Sequence, residues 1–153
     1  MTAPRVPAAR AAALAPGTIH VFTDGACDGN PGPAACGVVL CFNGRIKELS
    51  HHLGRATNNI AELSAILHGL QMIKKRDLPV RVYADSAYAI GVLSNPAWKP
   101  RENVELIARI KELIGHFSDL RFIKVAGHRG VRYNERADRL ARAALRQSLN
   151  RQL

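Results

Sequence analysis

At 153 residues, 47% of them hydrophobic and 22% charged, the chain fits one globular domain and leaves no room for two of ordinary size. No apolar run approaches the length of a membrane span, and three cysteines without a C-x-x-C pair (Cys27, Cys36, Cys41) speak against a disulfide framework or a structural zinc site and suit a reducing cytoplasm. The 22 Lys and Arg against 12 Asp and Glu, a net charge of +10, attract polyanions, with nucleic acid the expected partner and an anionic membrane the weaker reading.

Residues 1–17 are rich in Ala and Pro, lack acids and carry Arg5 and Arg10. They read as a disordered arm; a transit peptide is the alternative, against which the absence of Ser counts. Regular patterning starts at Thr18, giving an expected domain over 18–149 and a short tail over 150–153. Ile19 to Phe22 predicts a strand ending in Thr23-Asp24-Gly25. The Gly- and Pro-rich run from Asp28 to Pro33 excludes regular structure. Gly37 to Phe42 predicts a second strand, Asn43-Gly44 a hairpin turn, and a third strand follows through about Leu53. Within it His51 and His52 are adjacent, so they face opposite ways and make a poor metal pair with each other.

Leu63, Ile66, Leu67, Leu70 and Ile73 form one apolar helical stripe, with Asn59 and Glu62 spaced as a capping box. Val80 to Ala84 predicts a fourth strand, followed after Asp85-Ser86 by a short helix that Asn95-Pro96 breaks. Asn103 is placed to cap another helix, whose buried face is expected to be Val104, Ile107, Ile110, Leu113 and Ile114. Arg121 to Val125 predicts a fifth strand, and Gly127 to Gly130 a loop. The last helix spans about Tyr133 to Leu149, with Ala137, Leu140, Ala141, Ala144 and Leu145 inward and Arg132, Arg136, Arg139, Arg142 and Arg146 toward solvent. The order β-β-β-α-β-α-α-β-α is α/β, with a three-strand meander followed by crossovers that favour parallel strands.

Acids are scarce, so their positions are informative. Asp24 ends the first strand, Glu62 lies in the first turn of a helix, Asp85 ends the fourth strand and Asp138 sits in the last helix. Singly, each has an ordinary explanation: a turn, half of a capping box, a helix N-cap, an i+4 partner for Arg142. Jointly they point elsewhere. If strands one and four are neighbours, Asp24 and Asp85 share the end of the sheet where α/β folds place ligands. Glu62 and Asp138 beside them would repel unless a cation intervenes, and hard oxygen donors favour Mg²⁺ or Mn²⁺.

The motifs make the pattern specific. Thr23-Asp24-Gly25 through Pro33, Thr57-Asn58-Asn59 with Ala61-Glu62, Tyr83-Ala84-Asp85-Ser86 with Tyr88, and Gly127-His128 followed by Asn134-Glu135-Arg136-Ala137-Asp138 resemble, in order and spacing over residues 18–146, the four signature blocks of ribonuclease H type 1. The resemblance implies the RNase H-like fold: a five-stranded mixed sheet, an antiparallel meander plus two parallel strands, with helices on both faces. It implies endonucleolytic hydrolysis of the RNA strand of an RNA–DNA hybrid, leaving 5′-phosphate and 3′-hydroxyl ends. The implied catalytic and metal-binding set is Asp24, Glu62, Asp85 and Asp138 around two Mg²⁺, with Mn²⁺ as substitute, and His128 is implied as a proton shuttle or aid to product release. Asn30, Thr57, Asn58, Asn59 and Asn134 match substrate-contacting positions. The implied protein is a cytoplasmic monomer whose partner is the hybrid, not a membrane.

Two departures stand out. Many bacterial members carry a long basic, Trp-rich insertion where this chain has only Asn95 to Arg101, and Ala87 replaces a commonly polar residue. The short insertion leaves open a variant that also cuts double-stranded RNA or RNA–DNA junctions. A binding module without catalysis is opposed by the presence of all four acids, and a 3′–5′ exonuclease by the lack of D-x-E at Asp24-Gly25-Ala26.

Overall fold

A computed structural model describes residues 14–126 and 132–151 of the chain. The elements are β1 (Ile19–Cys27), β2 (Gly32–Phe42), β3 (Arg45–Ala56), α1 (Asn58–Gln71), β4 (Val80–Ala84), α2 (Ala87–Ser94), α3 (Val104–Ile114), β5 (Leu120–Lys124) and α4 (Arg132–Arg151). They form one five-stranded sheet in the order β3-β2-β1-β4-β5. β1, β2 and β3 make the antiparallel meander, and β4 pairs in parallel with both β1 and β5. This is the mixed α/β architecture expected from the order of elements.

Strand alternation divides the core between two faces. Val21, Val38, Leu40 and Val82 meet Leu63, Ile66 and Leu70 of α1, with Ile107 and Ile110 of α3 closing the layer. On the other face Phe22 stacks on Tyr83 at 4.3 Å and packs with Tyr133 and Ala137 of α4. α4 can settle this closely because β2 offers no side chain at Gly37. A Cβ there would stand 2.1 Å from the Ala137 carbonyl oxygen and 2.7 Å from the Ala141 nitrogen. Asn43 and Gly44, both at positive φ, close the β2–β3 hairpin, and the Gly17 amide donates to Asn43 Oδ1 at 2.7 Å. β3 is an edge strand of twelve residues, bulged against Ala34–Ala35 and mostly exposed.

Several boundaries differ from the sequence expectations, each for a physical reason. β2 begins at Gly32, inside the stretch expected to be irregular, because a glycine lets the chain double back against Asp28; a Cβ would sit 1.9 Å from the Asp28 carbonyl oxygen. α1 is capped by Thr57, whose Oγ1 accepts from the Ile60 amide, so Asn59 and Glu62 do not form the expected box. Asn103 occupies the N-cap of α3 but in the left-handed region, and its side chain donates to the Tyr88 hydroxyl instead of capping the helix. Val104 is 52% exposed, outside the buried face assigned to it, because that face is carried by Ile107 and Ile110. His51 and His52 do face opposite ways, toward α1 and α4. No described helix is long and apolar enough to cross a membrane.

Candidate active site

The register of β1 with β4 runs from Ile19↔Val80 to Phe22↔Tyr83. Asp24 and Asp85 each lie two residues beyond that last pair, so they emerge together at one end of the sheet. Glu62 reaches the same place because β1 and α1 nearly touch at Gly25. A Cβ on Gly25 would stand 2.7 Å from the backbone of Ala61 and Glu62, a separation no larger residue tolerates. Carboxylate oxygens of Asp24, Glu62 and Asp85 all lie within 4.8 Å of one another.

Asp138 enters from α4 on the opposite face. It stands close enough to Asp24 for the two carboxyls to share a proton, and it pairs with Arg142 one turn on at 3.0 Å. Both readings of Asp138 are therefore realised: it is an i+4 ion-pair partner and a member of the acidic group. Asp24 does not end its strand as expected, because pairing with β2 carries β1 on to Cys27; the four acids come from within β1, from just past β4 and from two helices, and only tertiary packing assembles them.

Burial is the main electrostatic cost of the group. Asp24 is only 4% exposed, and its burial, reinforced by the charges of Glu62, Asp85 and Asp138, pushes its carboxyl up to about 9. Burial likewise pushes Glu62 up to about 8, reinforced by Asp85 and Asp138 and opposed by a hydrogen bond from the Gly25 amide. That amide also donates to Asp24 Oδ1 at 3.0 Å. When ionised, Asp24 Oδ2 and Glu62 Oε1 are buried and receive no hydrogen bond from the described residues. Two orphaned anionic oxygens in an all-oxygen donor set fit a hard divalent cation.

The remaining expected residues lie at different depths. Asn30 Oδ1 accepts from the Asn58 amide at 3.0 Å, tying the β1–β2 turn to the start of α1. Asn58 is exposed and Asn59 half-buried on the first turn, next to the capping Thr57. Asn134 is 3% exposed at the start of α4, its Oδ1 without a described partner. His128 lies outside the described residues. Sequence reasoning missed the positioning parts of Gly25 and Gly37; each is a glycine at a strand position where a β-former is the norm, the one signal that could have flagged a close backbone approach.

The family model described as RNase H matches residues 16–146. Ribonuclease H of Maricaulis maris is 40% identical over 148 residues, covering 88% of this chain and 98% of that protein. Ribonuclease H of Syntrophomonas wolfei is 39% identical, covering 84% and 96%. Among solved structures, RNase H1 from the halophilic archaeon Halobacterium salinarum aligns with a TM-score of 0.75 at 36% identity, covering 86% of this chain and 99% of that one. An RNase H1 isolated from compost, solved in complex with an RNA/DNA hybrid, aligns with a TM-score of 0.74 at 31% identity, covering 86% and 99%.

Proposed function

The chain belongs to the RNase H family, and from that premise we propose that it hydrolyses the RNA strand of RNA–DNA hybrids as an endonuclease, leaving 5′-phosphate and 3′-hydroxyl ends. The observation that carries this reading is the convergence of Asp24, Glu62 and Asp85, with Asp138 beside them, where Asp24 Oδ2 and Glu62 Oε1 find no donor among the described residues. Asp24, Glu62, Asp85 and Asp138 are the metal ligands, and the cofactor is Mg²⁺, two ions, with Mn²⁺ as substitute. Such ions supply Lewis acidity toward the phosphodiester and an activated water when bound.

The protein's own part is positional. The Gly25 amide, shared between Asp24 and Glu62, fixes both carboxylates relative to β1. Arg142 holds the Asp138 carboxylate from the solvent side. Asn30, Asn58 and Asn59 lie around the joined β1–β2 turn and α1 N-terminus, and an amide can both give and take a hydrogen bond, as a ribose 2′-hydroxyl demands. Thr57 stands at the same helix N-terminus, where phosphate is favoured. Asn134 contacts the hybrid from α4, and His128 carries a proton at its imidazole during turnover or helps product leave. The net charge of +10 draws the polyanion in. The protein acts as a cytoplasmic monomer.

The test is cleavage of one labelled hybrid, with matched RNA and DNA duplex controls, in Mg²⁺ and in Mn²⁺. Cutting confined to the RNA of the hybrid, dependent on metal and lost in Asp24→Asn, is the expected result. Cleavage that survives the substitution or proceeds in chelator overturns the reading; cleavage of the RNA duplex as well would widen the substrate class.

A further inference from the structure

His51 of β3 points away from α4, toward α1, and its ring centre lies 4.6 Å from that of His68 with the planes inclined by 53°. His51 is exposed and His68 half-buried, so solvent reaches the pair. No hydrogen bond among the described residues engages either ring. No described group binds the four ring nitrogens, and a neutral imidazole offers one lone pair to a metal. Burial, with His51 and with Arg109 of α3, holds His68 below the ordinary imidazole range, which leaves it neutral near pH 7.

We propose that His51 and His68 form a two-imidazole site for a borderline transition-metal cation of the Zn²⁺, Ni²⁺ and Cu²⁺ class, distinct from the carboxylate cluster. Metal–nitrogen bonds of about 2.0–2.1 Å place two rings that share one ion with their centres about 4.5–5 Å apart, and the pair already stands at that spacing. The two sites select different ions: imidazole suits zinc, nickel and copper, whereas an all-oxygen set suits magnesium and manganese. No third His, Cys, Asp or Glu joins the pair among the described residues, so water completes the coordination. Two protein ligands and the nearby charge of Arg109 make this an exchangeable site. Its mechanical effect is to tie edge strand β3 to α1, the helix that carries Glu62.

Calorimetric titration with Cu²⁺, in excess Mg²⁺ to occupy the carboxylates, tests the assignment in the wild type, His51→Gln, His68→Gln, the double variant and His116→Gln as control. The wild type and the control are expected to bind one equivalent that both single variants lose, and the double variant to lose nothing more. Two-nitrogen coupling in the Cu²⁺ resonance spectrum should vanish with it. Zn²⁺ should raise the melting temperature of the wild type by ~2 °C or more and leave the single variants unmoved. Single variants that keep the wild-type equivalent, or that lose separate, additive portions of it, overturn the shared site. Both positions are at least partly solvent-exposed, and metal-free melting curves establish that each variant folds.

Discussion

Gly25 and Glu62 are in such close contact that a methyl group on the glycine would lie 2.7 Å from the Glu62 backbone nitrogen, and the Gly25 amide serves the Glu62 carboxylate as donor. The distance between β1 and α1 is therefore set by the absence of a side chain. Gly25→Ala must push the helix N-terminus outward and take Glu62 away from Asp24. We expect a loss of ~1–3 kcal/mol in stability and a fall in kcat of about 10²-fold, since displacement of a catalytic group by about 1 Å has that scale. Single-turnover cleavage and a denaturant melt measure both; unchanged kcat would show that α1 is free to move without consequence.

Asp24→Asn separates catalysis from folding. The substitution removes a proposed metal ligand and, at neutral pH, also a buried acid whose ionised form its neighbours oppose. Activity should disappear, while the metal-free melting temperature should rise by a few degrees (~1 kcal/mol or more). Stability gained together with activity lost is the signature of a site held ready for a cation; a variant less stable than the wild type in chelator contradicts it.

The same shifts fix the sign of the pH dependence. Free carboxyls in the unfolded chain titrate near 4, whereas folded Asp24 and Glu62 reach about 9 and about 8. Between those limits the native state holds more protons than the unfolded state, so stability falls as pH rises. Metal-free protein should melt at progressively lower temperature from about pH 5 to about pH 9. The rise in melting temperature produced by saturating Mg²⁺ should grow over the same range, because the ion replaces the protons. A melting temperature flat across that range in chelator would remove the electrostatic account.

Gly37 sets the other close approach. A methyl group there would collide with the α4 backbone at the Ala137 oxygen, and backbone cannot rotate out of the way. Gly37→Ala should cost ~3 kcal/mol or more, a fall of about 6–12 °C in melting temperature, and should weaken cleavage by displacing Asp138. Thermal melts in the presence and absence of Mg²⁺ measure it, and a smaller metal increment than in wild type is expected.

Thr57 combines a cap with a proposed phosphate contact. Thr57→Ala should cost about 1 kcal/mol through the lost bond to the Ile60 amide and should raise KM for the hybrid. Thr57→Ser keeps the hydroxyl and should restore both. Restoration of stability without KM would confine the residue to capping.

Much of this arrangement was legible in residue order. The stripe Leu63–Ile66–Leu67–Leu70 and the run Ile19 to Phe22 indicate the helix and strand, and crossovers after the meander favour parallel strands; that β1 and β4 are neighbours, which brings Asp24 beside Asp85, entered the sequence reading only as a condition. The boundaries that shifted did so where tertiary contact outweighs local preference. Gly32 extends β2 by folding tightly on Asp28, and Thr57, two residues before Asn59, captures the cap and leaves Glu62 available to the acids. Asn103 gives up capping for the Tyr88 hydroxyl. Convergence of the four carboxylates depends on approaches at Gly25 and Gly37 between segments distant in the chain, and no periodicity encodes those. Scarcity and position singled out the four acids, and the signature blocks tied them to a single site only through resemblance.

The exposed border formed by β3 also bears on how the molecule behaves in company. A twelve-residue strand with an open hydrogen-bonding side is a template on which a second copy could polymerise. Arg45, Lys47, Glu48 and Arg55 crowd this one with charge, and the kink at Ala34–Ala35 interrupts its register. At the far border β5 offers five residues, too short to seed a stack. Charge and bulge on one border and shortness on the other thus protect the sheet against fibril growth.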